Sequence, residues 1–243
     1  LMPIDGGEAK IILEREDISQ IKWANDSKHI YFISNETDKS KDDVKIINSY
    51  PFYFNSKGFI YNKRPTLFIS GLKGKEKKLT EAPYNVPEFS KDGKFLGFTY
   101  SDNKKSVFQH RKLYLFSIQD SSMECITCKI DRSIGNSINS DSRLGMGKSV
   151  MFTKDGIYFS VTDHGYSVLY YYDLKSKMIS KILDNKESID TFYVYNQKIY
   201  YISQKINFPQ ELYVFDKKIM KITNFNNYFN GLPEARNFSF VAS

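Results

Sequence analysis

Phe89-Ser-Lys-Asp-Gly-Lys-Phe-Leu-Gly-Phe-Thr-Tyr100 decides the fold. An aromatic residue precedes a polar Ser-x-Asp-Gly turn, and an apolar run follows. Asp-Gly tolerates the positive φ that tight hairpins demand, so the segment reads as strand, turn, strand. The same order recurs in Trp23-Ala-Asn-Asp-Ser-Lys-His-Ile-Tyr-Phe-Ile-Ser34, in Phe152-Thr-Lys-Asp-Gly-Ile-Tyr-Phe-Ser160 with a shorter turn, and in Phe192-Tyr-Val-Tyr-Asn-Gln-Lys-Ile-Tyr-Tyr-Ile-Ser203. After each hairpin comes a strand with a Leu-aromatic start: Leu67-Phe68, Leu113-Tyr114, Leu169-Tyr170 and Leu212-Tyr213. A polar turn then leads to a short fourth strand, Lys78-Leu79-Thr80, Cys125-Ile126-Thr127, Lys181-Ile182-Leu183 or Lys221-Ile222-Thr223. Four strands recurring at roughly 40 residues are the signature of β-propeller blades, and helical periodicity is absent.

The expected fold is therefore all-β: a β-propeller fragment of four complete four-stranded blades at 18–80, 86–127, 149–183 and 189–223. A remnant of an earlier blade stands at the start. There Leu1 to Asp5 reads as the end of a third strand, Gly6-Gly7 as a turn and Lys10-Ile-Ile-Leu13 as a fourth strand. Each blade hides an apolar face against its neighbour, so the arrangement predicts further blades before Leu1 or an assembly that covers the open faces. Trp23, Phe89, Phe152 and Phe192 stand close to the same distance from the turn and are expected at equivalent buried positions. Residues 35–64 and 128–148 are too long for simple connections, and segments of that length are usually functional or disordered.

The composition agrees. The chain carries 18 Tyr and 19 Phe against one Trp, and 41% of it is hydrophobic, which suits half-buried pleated surfaces. A formal charge of +7 raises the question of nucleic acid. The lysines are scattered, with one short cluster at Lys73, Lys75, Lys77 and Lys78, and form no basic stripe; no nucleic-acid partner is expected. No apolar run approaches the ~20 residues of a membrane helix, and the first residues lack a signal-peptide pattern.

Tests for chemistry come out negative. Cys125-Ile-Thr-Cys128 is one C-x-x-C, and a zinc site needs two more ligands. Placed on a strand, the two side chains point to opposite faces, so no disulfide is expected. So few cysteines fit a reducing, cytoplasmic compartment. Gly145-Met-Gly-Lys-Ser149 ends like a phosphate-binding loop, but Ser142 holds the first Gly position and a strand follows in place of a helix. Gly165-Tyr-Ser-Val-Leu169 lacks the final Gly of a nucleophile elbow. His29, His110 and His164 are read as isolated. No catalytic residue, metal or cofactor is expected in this chain.

The chain resembles the propeller domain of the prolyl oligopeptidase family of serine peptidases, acylaminoacyl-peptidase branch, archaeal type. Pro87-Glu-Phe-Ser-Lys-Asp-Gly-Lys94 is similar to the family's "P-x-W-S-P-D-G-K" blade start, with Phe for Trp and Lys for Pro. Tyr53 to Phe59 looks like the segment before its Leu-Phe strand, and Leu79-Thr80 like its "Leu-Thr" fourth strand. Asp163-His-Gly-Tyr-Ser-Val-Leu-Tyr170 is similar to its "x-G-x-x-x-L-Y" turn. Ser140-Asp-Ser-Arg143 resembles its D-x-R stretch, and Asn237 to Ser243 looks like the first strand of the α/β-hydrolase domain that follows the propeller. The resemblance implies a propeller over 1–236, part of a seven-bladed one, and a hydrolase domain starting at 237–243. It further implies a Ser-Asp-His triad beyond Ser243, peptide substrates reached through that domain, and a propeller that caps the active site and excludes folded proteins. Asp141 and Arg143 are the candidate site residues. An Asp–Arg pair tying the loop to a neighbouring blade is one role for them; holding a peptide carboxylate or an interdomain acidic group is the other. The competing function is a stand-alone propeller scaffold that binds protein partners. A channel site for a small molecule or glycan is a third, and oligomeric state is left open.

Overall fold

The computed structural model describes the chain apart from residues 16, 38–43, 45–46, 48–51, 56–57, 61–62, 82–87, 91, 102–105, 107, 139–146, 230–232, 234–237, 239 and 241–243. It divides into two compact units, Leu1–Asp131 and Arg132–Ser243.

In the first unit, β1 (Ser19–Trp23), β2 (His29–Thr37), β5 (Lys63–Gly71) and β6 (Glu76–Glu81) form an antiparallel sheet in that order. Within the long segment between β2 and β5, β3 (Tyr53–Phe54) and β4 (Gly58–Phe59) pair as a small hairpin of their own. A second sheet follows from β7 (Glu88–Phe89), β8 (Phe95–Tyr100), β9 (Lys112–Ser117) and β10 (Met123–Cys125). These are the first two predicted blades, at the predicted places.

The second unit holds the other two. Blade 3 is β12 (Val150–Phe152), β13 (Gly156–Asp163), β14 (Tyr166–Asp173) and β15 (Ile179–Leu183). A further piece, β11 (Ser133–Ile134), extends its first strand by pairing with the far end of β13, so part of the 128–148 segment belongs to the sheet. Blade 4 is β16 (Ser188–Tyr195), β17 (Lys198–Lys205), β18 (Phe208–Asp216) and β19 (Lys218–Lys221). Helix among the described residues is one 3₁₀ turn, Asn227–Phe229.

The turn chemistry works as the sequence predicts in blades 1, 2 and 4, whereas in blade 3 Gly156 is the first residue of β13 and neither it nor Asp155 takes a positive φ. Ser90 Oγ donates to Asp92 Oδ1 at 2.6 Å and accepts the Phe95 amide at 3.0 Å, while Gly93 takes φ +71°. In blade 4, Asn196 and Gln197 both have positive φ, 46° and 62°, the geometry of a two-residue hairpin turn that follows the twist of its strands. The (Ile)-Thr ending of the fourth strand has a role of its own. In blade 2 the Ile126 amide donates to the Leu113 carbonyl and the Thr127 hydroxyl accepts the Leu113 amide, at 2.9 and 2.8 Å. In blade 4 Ile222 and Thr223 do the same to Leu212, at 2.8 and 2.9 Å. The hydroxyl replaces a ladder partner where the strand stops.

Alternation along the strands sends side chains to two faces, and within each unit the facing sides of adjacent blades pack together, whereas Tyr193 and Tyr195 on the other face of blade 4 are exposed. In the first unit Tyr31, Ile33 and Leu67 of blade 1 pack with Leu96, Phe98 and Phe116 of blade 2, and Phe89 lies edge-on to Tyr31 at 4.7 Å. In the second unit Leu169 and Leu183 of blade 3 pack with Ile189, Phe192 and Tyr201 of blade 4. Phe152 and Phe192 are buried and Phe89 is half-buried, but Trp23 is 48% exposed, against expectation. Trp23 pairs with Ile30 and so shares the face of Ile30, Phe32 and Phe68. That face is covered by Ile12, Leu13 and Ile18 and by Arg15, whose guanidinium stacks on Phe68 at 4.1 Å. This cover leaves Trp23 open. Residues 1–15 themselves form no strand. Leu1 and Lys10 exchange reciprocal backbone bonds of 2.7 and 2.8 Å, antiparallel contacts that do not extend into a ladder.

Candidate functional site

In each antiparallel blade, the first strand begins, the second ends, the third begins and the fourth ends at one edge. That edge receives every long segment, including the β2–β5 and β8–β9 connections and residues 126–149, whereas the other edge has tight turns. The groups collected on this edge are the candidate site in each unit.

In the second unit the β13–β14 turn presents Asp163, His164 and Gly165, the latter two at φ +48° and +83°. Asp163 gathers three partners: Arg132 Nε at 2.8 Å, His164 Nδ1 at 2.6 Å and Lys181 Nζ at 3.3 Å. The Arg132 guanidinium is the main reason its carboxyl is drawn down to about 2, with Lys181 and His164 adding to the effect against a burial penalty. The other ring nitrogen of His164 faces Arg132 at 3.3 Å, not a hydroxyl, so this His–Asp pair does not activate a nucleophile. His29 likewise has Asp26 at 2.6 Å, and His110 in the first unit has Asp131 at 3.4 Å. None of the three histidines is isolated, as the sequence reading had them, because turns and strand register bring each a carboxylate.

Behind the turn, carboxylates are buried and fully engaged. Asp190, 7% exposed, accepts from Asn136 Nδ2 at 3.0 Å and Gln210 Nε2 at 3.2 Å, and Gln210 also reaches Gln204 at 2.9 Å. Glu187 accepts from Asn185 at 2.8 Å and faces Lys205 at 3.6 Å. Burial opposes ionisation of Glu211, yet the Thr223 hydroxyl, the Asn226 amide and Lys221 hold its carboxyl below the usual range. Such groups make a fixed polar surface rather than a reaction centre. Ser167, the serine of the incomplete elbow, is buried and donates to the Ile189 carbonyl at 3.0 Å, tying blade 3 to blade 4. Lys148 leads into β12, and its amide donates to Thr191 at 3.0 Å; Gly145 and Met146 lie outside the described residues. Asp141 and Arg143 do too, so no position is assigned to either.

In the first unit the same edge of blade 2 carries a cavity of about 510 Å³ lined by Tyr100, His110, Lys112, Tyr114, Cys128 and Asp131, among others. Desolvation lowers the pKa of Lys112, which donates to the Ile130 carbonyl. Cys128 is bonded to Cys125, correcting the expectation that the two could not join. The expectation placed both on a strand; β10 ends at Cys125, and the chain turns at Thr127–Ile130, bringing the two Cα atoms to 5.7 Å. The bond also removes cysteine usage as an argument for a reducing compartment. The sequence did carry a signal: if Thr127 closes its strand as Thr223 does, Cys128 falls beyond it. Among the described residues no three His, Cys, Asp or Glu side chains converge as a metal site, and no helix is long and apolar enough to cross a membrane.

Compared with solved structures, the chain is similar to the β-propeller domain of the Trilobed protease from Pyrococcus furiosus, with a TM-score of 0.61 and 19% identity over 88% of this chain and 56% of that one. The fold is that of a β-propeller. The Pyrococcus horikoshii acylaminoacyl peptidase matches at 0.54 and 20%, over 93% of this chain and 41% of its own. TolB from Acinetobacter baumannii matches at 0.53 and 18%, over 91% and 47%. This propeller chain thus spans about half the length of the proteins it resembles. None of the known family profiles matches the sequence, and neither does any curated protein.

Proposed function

We propose that this chain is the propeller domain of a serine oligopeptidase of the acylaminoacyl-peptidase type, without catalysis of its own, and that it gates and selects substrates for an α/β-hydrolase domain beginning at 237–243. The observation that carries this reading is the shared fold with the propeller domains of two peptidases, which the chain matches along 88% and 93% of its length. The blade edge supports it. After β19 and Thr223 the chain leaves blade 4 at the edge that holds Asp163, Glu187 and Asp190, so a following domain starts over fixed polar groups. Exclusion of folded proteins is then steric, since a folded domain is wider than a propeller opening.

Arg143 belongs to this proposal as the cationic contact for a peptide carboxylate or an interdomain acidic group, and Asp141 as the second candidate residue of the same stretch. The reading frame on the 3′ side gives the first test: a G-x-S-x-G elbow followed by Asp and then His. The full-length enzyme should then cleave short peptides and leave folded proteins intact; equal cleavage of both overturns gating. In that enzyme Arg143→Ala should lower kcat/KM for peptides with the melting temperature unchanged. A loss of stability with unchanged kinetics assigns Arg143 to loop anchoring instead.

A second reading rests on the fold alone, which the chain shares with TolB, a protein not named as a peptidase: a stand-alone propeller that binds protein partners through its long segments. A stop codon, or a further blade repeat in place of the elbow, selects it.

A further inference from the structure

The repeat isolates one pair of positions where blade 2 departs from blades 3 and 4. Blade 3 joins the first residue of Lys181-Ile182-Leu183-Asp184 to the fourth through Lys181 Nζ and Asp184 Oδ2 at 2.9 Å. Blade 4 joins Lys221 to Asn224 in the same way at 3.0 Å. Blade 2 has Cys125 and Cys128 at these two positions, and joins them by a disulfide. A polar pair suffices in those two blades. The blade 2 turn is moreover held by Ile126 and Thr127, both buried and both bonded to Leu113 as Ile222 and Thr223 are to Leu212. Blade 4 makes the same turn contacts without a covalent link, and the disulfide adds to them a bond that thiols can open.

The surroundings suit that chemistry. Cys125 is half-buried at the end of β10, whereas Cys128 is exposed and forms part of the cavity wall. Beside it stand Lys112 and Lys129, and Asp131, the one acidic side chain among the described residues of the lining, faces His110 at 3.4 Å. The Tyr114 hydroxyl lies 3.8 Å from Cys128 Sγ. Two ammonium groups against one paired carboxylate favour an anion in the cavity and a thiolate at its wall.

We propose that Cys125–Cys128 is a thiol–disulfide exchange site whose cavity admits low-molecular-weight thiols carrying a negative charge. A thiolate of the small molecule attacks Cys128 Sγ. The new bond joins the two sulfurs, the Cys125–Cys128 bond breaks, and Cys125 leaves as a thiolate that takes a proton from solvent. A second thiolate attacks the small-molecule sulfur of the mixed disulfide, releasing the small-molecule disulfide and the Cys128 thiolate. Two small thiols are oxidised and one protein disulfide is reduced.

The probes are 2-mercaptoethanesulfonate and cysteamine, with rates of reduction of the 243-residue chain followed by mass spectrometry and corrected for each probe's thiolate fraction. The anionic probe should react faster by about three- to tenfold at low salt. The gap should close in 1 M salt and in the Lys112→Gln/Lys129→Gln variant. With Cys125→Ser, the disulfide of 2-mercaptoethanesulfonate should leave one stable adduct, on Cys128. Circular dichroism should show the same sheet spectrum before and after reduction. Equal rates for the two probes, a faster cationic probe, or an adduct on Cys125 in the wild-type chain overturn the proposal. Loss of the sheet spectrum on reduction also overturns it, since the bond would then be a structural staple.

Discussion

Replacing Asp163 with asparagine keeps the side chain's shape and removes the charge on which Arg132, Lys181 and His164 converge. The magnitude follows from the carboxyl's pKa, lowered from 3.8 to about 2 in the fold. At about 1.4 kcal/mol per unit, that displacement corresponds to about 2–3 kcal/mol of stability at neutral pH. Arg132 and Lys181 are 36% and 35% exposed, and solvent screening reduces the expectation to about 1–2 kcal/mol. Because the folded-state pKa is depressed, the contribution is complete above the unfolded value near 4 and is lost as pH falls through about 2. Urea titrations of wild type and Asp163→Asn, followed by circular dichroism, should therefore differ by that amount at pH 7, converge between pH 4 and 2, and differ less in 0.5 M salt. A difference below about 0.3 kcal/mol at pH 7 would refute the reasoning. So would one that persists unchanged at pH 2, since it would then come from packing rather than charge.

The exposure of Trp23 against the burial of Phe192 sets a second test: Phe192→Ala should cost about 3–5 kcal/mol and Trp23→Ala under about 1, by urea unfolding followed in the far ultraviolet. A large loss at Trp23 would mean that another element covers it. The isolated chain should hydrolyse acyl-peptide and p-nitrophenyl ester substrates no faster than buffer. Turnover that survives repurification and is abolished by a serine-reactive inhibitor would place a nucleophile in this chain after all.

Blade boundaries were legible in the sequence because they rest on local rules. Asp-Gly and Asn-Gln turns fix where strands reverse, two-residue alternation fixes which side chains face a neighbour, and a repeat read four times averages out local ambiguity. The candidate site was legible only in outline. The 128–148 segment was singled out for its length, and β11 within it joins the blade 3 sheet, yet the described groups near its start, Cys128, Lys112 and His110, were read separately or not at all. Their proximity depends on where β8 ends and β9 begins, which periodicity alone does not give.

By itself, the sequence determined the all-β character, the four blades and the chemistry of their turns, since each follows from residues within one hairpin of each other. Only the tertiary structure decided which partners meet across long separations. Arg132 reaches Asp163 from 31 residues away, and Asn136 reaches Asp190 from 54. Trp23 stays open because of what lies over its face, and Cys125 joins Cys128 because β10 stops where it does. Strand register and the cover supplied by neighbouring elements are set by the packing of the whole sheet, so no local pattern announces them.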